Sequence, residues 1–160
     1  MKYSKLNFGK HKDKTLPQVV FSDPDWFLWA IENNVFDNKS IRLIREANDT
    51  HYKIRNIAIK DSLCVEHFIH PPTKKYSHFE LVPESKPKHI GSSPTIRDNK
   101  LDISIVRKIS KFDKKGGKNL IISMKKNGIA NKRMDKNECE KFFNDDENFI
   151  KKDKKDKKDL

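Results

Sequence analysis

Apolar and polar positions alternate over residues 3–8, and Gly9 ends the stretch. A second apolar run, TLPQVVF (15–21), follows after the lysine-rich loop 10–14. Two short runs joined by a tight polar loop predict a β-hairpin. Asp23-Pro24 then supplies an N-cap with proline at the first helical position. Behind it Trp26, Phe27, Trp29, Ala30 and Ile31 form one apolar face at helical spacing, and Asn33-Asn34 ends it. The pattern predicts a helix over 24–33, with Trp26 or Trp29, or both, packed on the two strands. A second helix is predicted over 38–48, burying Ile41, Leu43, Ile44 and Ala47 and leaving Arg42 and Arg45 outside.

The pattern changes after Tyr52. KIRNIAI (53–59) alternates as a strand does, and CVEHFI (64–69) and YSHFELV (76–82) flank PPTKK as the arms of a second hairpin. Residues 83–100 are rich in proline and serine and read as a linker or an ordered surface loop. Asp102 opens a helix through Ile105, Val106, Ile109 and Phe112, which Gly116-Gly117 stops. A short helix over 118–126 turns Leu120, Ile121 and Met124 inward, with Gly128 as its cap. Asp135 and Glu138 have capping-box spacing and open a last helix through NECEKFF. KKDKKDKKDL (151–160) has no apolar residue before its final position and is expected to be disordered. The fold class is α+β: a small N-terminal hairpin with helices, a central hairpin, short C-terminal helices and a basic tail.

Composition narrows the functions available. The 160 residues are 34% hydrophobic and 36% charged, so core material is thin and a large buried pocket is not expected. The net charge of +12 points to a polyanionic partner. That charge is spread along the body, and only +3 of it sits in the last ten residues. Two distant cysteines, Cys64 and Cys139, make neither a disulfide framework nor a Cys-x-x-Cys pair. No stretch approaches the roughly 20 apolar residues of a membrane span, and the N-terminus lacks a signal-peptide pattern, so a cytoplasmic protein without membrane contact is expected.

The segment FGKHKDKTLPQVVFSDPDWFLWAIEN resembles the small C-terminal module of exonuclease X-type proteins, which also occurs in stand-alone bacterial and tailed-phage proteins. Phe8, Gly9, Lys10, His11, Lys12, Leu16, Val19, Asp23, Pro24, Trp26, Phe27 and Trp29 fit the family pattern, while Asp13 stands where the family usually has glycine. The resemblance covers about residues 6–36. It implies an accessory that engages DNA beside a nuclease domain, for which the remaining length has no room. On this reading residues 1–50 are the module, 51–100 a β-rich segment with a proline-rich loop, 101–150 a helical segment and 151–160 the Lys/Asp tail.

Several groups carry candidate chemistry. Lys10, His11, Lys12 and Lys14 beside Gly9 offer charge and a free backbone N–H to phosphates, or are simply a solvated turn. Lys114, Lys115 and Lys118 surround Gly116-Gly117 as an anion-binding nest does, or as a helix–helix turn does. Trp26 and Trp29 have the spacing of core aromatics, with stacking on unpaired bases as the alternative. Cys64, His67, His70 and His78 suggest zinc, but a strand sends Cys64 and His67 to opposite faces, so no metal is expected. No catalytic constellation and no cofactor motif is found. The expected function is non-catalytic binding of nucleic acid, DNA in particular, through Lys10, His11, Lys12, Lys14, Lys114, Lys115 and Lys118. The alternative is a phage-type interaction factor that docks on a protein such as a nuclease or polymerase, through the PPTKK hairpin or the proline-rich loop.

Overall fold

A computed structural model describes residues 1–111 and 113–152. The expectations for Phe112 and for the tail from 153 onward lie outside these residues. The fold is α+β. Helices α1 (Leu16–Ser22), α2 (Pro24–Glu32) and α3 (Ile41–Ile54) precede strands β1 (Ile57–Ala58), β2 (Leu63–His70) and β3 (Lys75–Pro83). Strands β4 (Thr95–Asp98) and β5 (Lys100–Leu101) follow, then α4 (Ile105–Ile109), α5 (Lys114–Lys126) and α6 (Lys136–Asn144). One antiparallel sheet has the order β3-β2-β4, and β1 pairs with β5 in a second. Helix α1 packs on α2, α3, α5 and α6, while α5 also lies across β3. A single apolar core runs from Tyr3 to Phe149, so the three body segments read from sequence share one interior. No helix among the described residues is long and apolar enough to cross a membrane.

Several predicted elements stand. Asp23 caps α2 by accepting from the Trp26 N–H at 3.2 Å. Asp135 caps α6 in the same way through the Glu138 N–H at 2.9 Å. Gly128 follows α5 with φ +73°, the left-handed turn that favours glycine. The central hairpin forms, and its register pairs Phe68 with His78 and His67 with Phe79.

Others are corrected. The run expected as a strand over 15–21 is helix α1 (Leu16–Ser22) behind its N-cap Thr15, and 3–8 form no strand. Thr15-Leu-Pro-Gln18 is a capping box: the Thr15 N–H donates to Gln18 Oε1 at 3.0 Å, and Pro17 suits a first turn far better than a strand. Helix α3 runs on to Ile54 because Leu43, Ala47, Thr50 and Ile54 continue one buried face, which leaves only Ile57–Ala58 as strand. Ile41, expected inside, is 69% exposed at the first turn, and Glu46 takes a core position by accepting from the Ser4 N–H at 2.9 Å. The loop over 83–100 contains β4, held to β2 by the cross-strand pair Arg97–Glu66 at 2.6 Å. Gly116 and Gly117 do not stop a helix; they lie in the first turn of α5, which Asp113 caps.

His67 is fully buried, with Nδ1 2.8 Å from the Tyr76 hydroxyl. Burial outweighs the pull of Asp98 and Asp102 and pushes its pKa down to about 4. The unfolded chain therefore takes up this proton first. The stabilising contribution is complete above about pH 6.5 and is lost as pH falls towards 4. Urea denaturation should show parent stability dropping from pH 7 to 4.5, with His67 contributing up to about 3 kcal/mol. His67→Gln should flatten that dependence, and an unchanged slope would remove His67 from the account.

Candidate nucleic-acid interface

The loop read as FGKHKDK is built on Asp23. Two hydrogen bonds close its base, Leu6 N–H to Lys14 O at 2.9 Å and Asp13 N–H to Leu6 O at 2.8 Å. Gly9 and Asp13 both take φ +71°, and the short Asp side chain tolerates that region better than most residues. Between these bends the chain turns His11 inward. His11 is only 6% exposed and its Nε2 lies 3.0 Å from Asp23 Oδ2. An ionised carboxylate only accepts, so Nε2 carries the proton. Burial lowers the His11 pKa despite Asp23, so the ring is neutral at pH 7. Its ring meets Trp26 edge-on at 5.0 Å.

Lys10 reaches the same oxygen, with Nζ 2.9 Å from Asp23 Oδ2. That hydrogen bond raises the Lys10 pKa. Burial opposes ionisation of Asp23, but bonds from Lys10, the Trp26 N–H and His11 together hold its carboxyl below the usual range. The expected phosphate-facing set is thereby corrected. His11 is a support beneath the loop, Lys10 is tied to it, and Lys12 and Lys14 are exposed.

The second basic segment arrives from the other end of the chain. Gly117 faces the start of α2 so closely that a Cβ there would lie 2.9 Å from Pro24 Cγ. At Gly116 a Cβ would lie 3.2 Å from Tyr76 Cβ. The glycine pair is thus a packing requirement between α5, α2 and β3, and Asp113 accepts the Gly116 N–H at 3.1 Å. This fit sets the N-terminus of α5 beside that of α2, where Asp23 holds Lys10. Lys114, Lys115 and Lys118 are all exposed. The structure therefore brings the Lys10 loop and the first turn of α5, separated by most of the chain, side by side.

Two further features of this face carry no signal in the sequence pattern. Lys39 Nζ stands 4.1 Å over the Phe8 ring at the loop's edge. Arg107 clamps the flank of α2, donating to Asp25 Oδ1 at 2.7 Å and to Glu32 Oε2 at 2.6 Å. A lone arginine after Ile105 and Val106 gives no hint of such a clamp, because both carboxylates lie on a distant helix. The tryptophans divide: Trp26 is partly buried, while Trp29 is 39% exposed, and the core side of α2 is Phe27, Leu28 and Ala30.

The zinc candidates are dispersed. His67 Nδ1 is engaged by Tyr76, His70 is exposed with Nδ1 3.1 Å from Thr73 Oγ1, and His78 stacks on Phe68. Among the described residues no group of three or more His, Cys, Asp or Glu is placed to hold a metal ion. No family model, curated protein or solved structure matches this chain.

Asp23→Ala should destabilise the protein by about 2 kcal/mol or more, since it removes a helix cap and strands the buried His11 donor. Asp23→Asn, which keeps an acceptor for the cap, should cost less. Chemical denaturation of both variants checks this. A destabilisation below about 0.5 kcal/mol for the alanine variant would show that Asp23 does not hold the loop.

Proposed function

We propose that this protein binds nucleic acid through its phosphate backbone and performs no chemistry of its own. The observation that carries the reading is the packing of the α5 start on the α2 start, which sets the Lys10–Lys14 loop beside Lys114, Lys115 and Lys118, with Lys12 and Lys14 exposed. Like charges placed side by side repel, and a phosphate lying between them turns that repulsion into attraction. Asp23, the carboxylate beneath them, is already engaged by Lys10 and His11. The resemblance of residues 6–36 to the exonuclease X C-terminal module points the same way, with DNA as the first ligand to test. As an accessory the protein would work beside an enzyme such as a nuclease or polymerase, in the cytoplasm.

The test is a salt series of binding to single-stranded DNA, duplex DNA and RNA. Parent affinity should fall steeply as salt rises. Lys12→Glu with Lys114→Glu should weaken binding at low salt and flatten the salt slope by about 0.7–0.9 for each phosphate no longer neutralised. Its stability should change by less than about 0.5 kcal/mol, as both side chains are exposed. Absence of binding to all three nucleic acids at low salt would overturn the proposal. It would favour protein docking through the proline-rich segment, where Ile90 is 95% exposed.

A further inference from the structure

We infer that Trp29 is a stacking platform for one unpaired base, so that the basic face takes single strands in preference to duplex; this rests on the nucleic-acid reading above. The core does not need this indole. Phe27, Leu28 and Ala30 close the inner side of α2, whereas Trp29 leaves 39% of its surface in water. Trp26 is its ring neighbour, 6.4 Å away and tilted by 43°. Trp26 in turn packs against His11, and its Cζ2 is 3.9 Å from where a Cβ on Gly9 would sit. Trp29 is therefore connected to the lysine loop through two successive ring pairs, backed by an immobilised indole. The tilt prevents the two indoles from offering one continuous flat surface, and Trp29 is the more exposed of the two.

Charge favours the same occupant. Asp25 and Glu32 border this part of α2, and Arg107 holds both, so neither is left as an unopposed negative charge. Phosphates on the lysines and a base on the indole are the two halves of single-strand recognition. In a duplex the base faces are already stacked, and an indole lying on a protein surface meets only edges and backbone. Duplex can thus engage the lysines but not Trp29.

The experiment compares Trp29→Ala and Trp29→Phe with the parent on a single-stranded oligothymidine and on a duplex of equal length at one low salt concentration. The alanine variant should bind the single strand about 5- to 150-fold more weakly, equivalent to about 1–3 kcal/mol for one stacked base, and the duplex almost as the parent does. The phenylalanine variant should recover most of that affinity, and parent fluorescence should be quenched by the single strand more than by the duplex. Unchanged single-strand affinity in the alanine variant, or equal weakening on both ligands, would overturn the inference while leaving phosphate binding intact. A parent that binds neither ligand would overturn both.

Discussion

One carboxylate organises the candidate face. Asp23 receives the Trp26 N–H, the His11 ring and the Lys10 ammonium, so it ties a helix start, a loop and a surface charge together. The helix cap and the His11 bond lie where water is largely excluded, and there a missing partner would be expensive. The Lys10 ion pair is half in solvent and contributes little to stability. Its consequence is positional, because it holds the ammonium at the start of α2, against which α5 packs. Asp23 also precedes Pro24, whose ring fills the space left by the absent side chain of Gly117. Loop, α2 and α5 are thereby set relative to one another from a single point.

A chain with little apolar material extends its interior with polar groups that satisfy one another. The Arg107 side chain is 8% exposed between Asp25 and Glu32 and joins α4 to α2. Glu66 is buried on β2, and Arg97 reaches it from β4 while also donating to the Lys86 and Pro87 carbonyls. Pairs of this kind are weak evidence for net stability, since desolvation offsets most of the attraction. Removing one partner, however, leaves a buried charge, so each pair excludes other arrangements of the same elements. On the candidate face Asp23 and Asp25 are engaged by cations, while Lys12, Lys14, Lys114, Lys115 and Lys118 are exposed.

Local chemistry was legible in the residues themselves. Asp23-Pro24, the Asp135 cap, Gly128 and the two alternating arms around PPTKK each act within a few positions of their own and formed the element expected, although Glu138 turns to Asn131 and leaves the capping box half made. The capping box of Thr15 and Gln18 was equally local, but the apolar run TLPQVVF masked it as a strand. The lysines of the candidate site were likewise visible from composition and spacing, and the functional reading followed from them.

The remainder depends on interactions that span tens of residues. Glycines that break a helix in isolation sit inside α5 because Pro24 and the Tyr76 Cβ leave room for no side chain. Glu46 sits in the core where Ser4 donates to it, and β4 pairs along β2 with Arg97 opposite Glu66. Helical spacing placed Trp26 and Trp29 on one face, but only the packing of Phe27, Leu28 and Ala30 determined that Trp29 stayed in water. Residue order alone specified the caps at Asp23 and Asp135, the central hairpin and the supply of positive charge. Which charges stand together, and which aromatic ring lies beside them, was settled by the fit of α5 on α2, a steric relation between residues too far apart in the chain for any local pattern to encode.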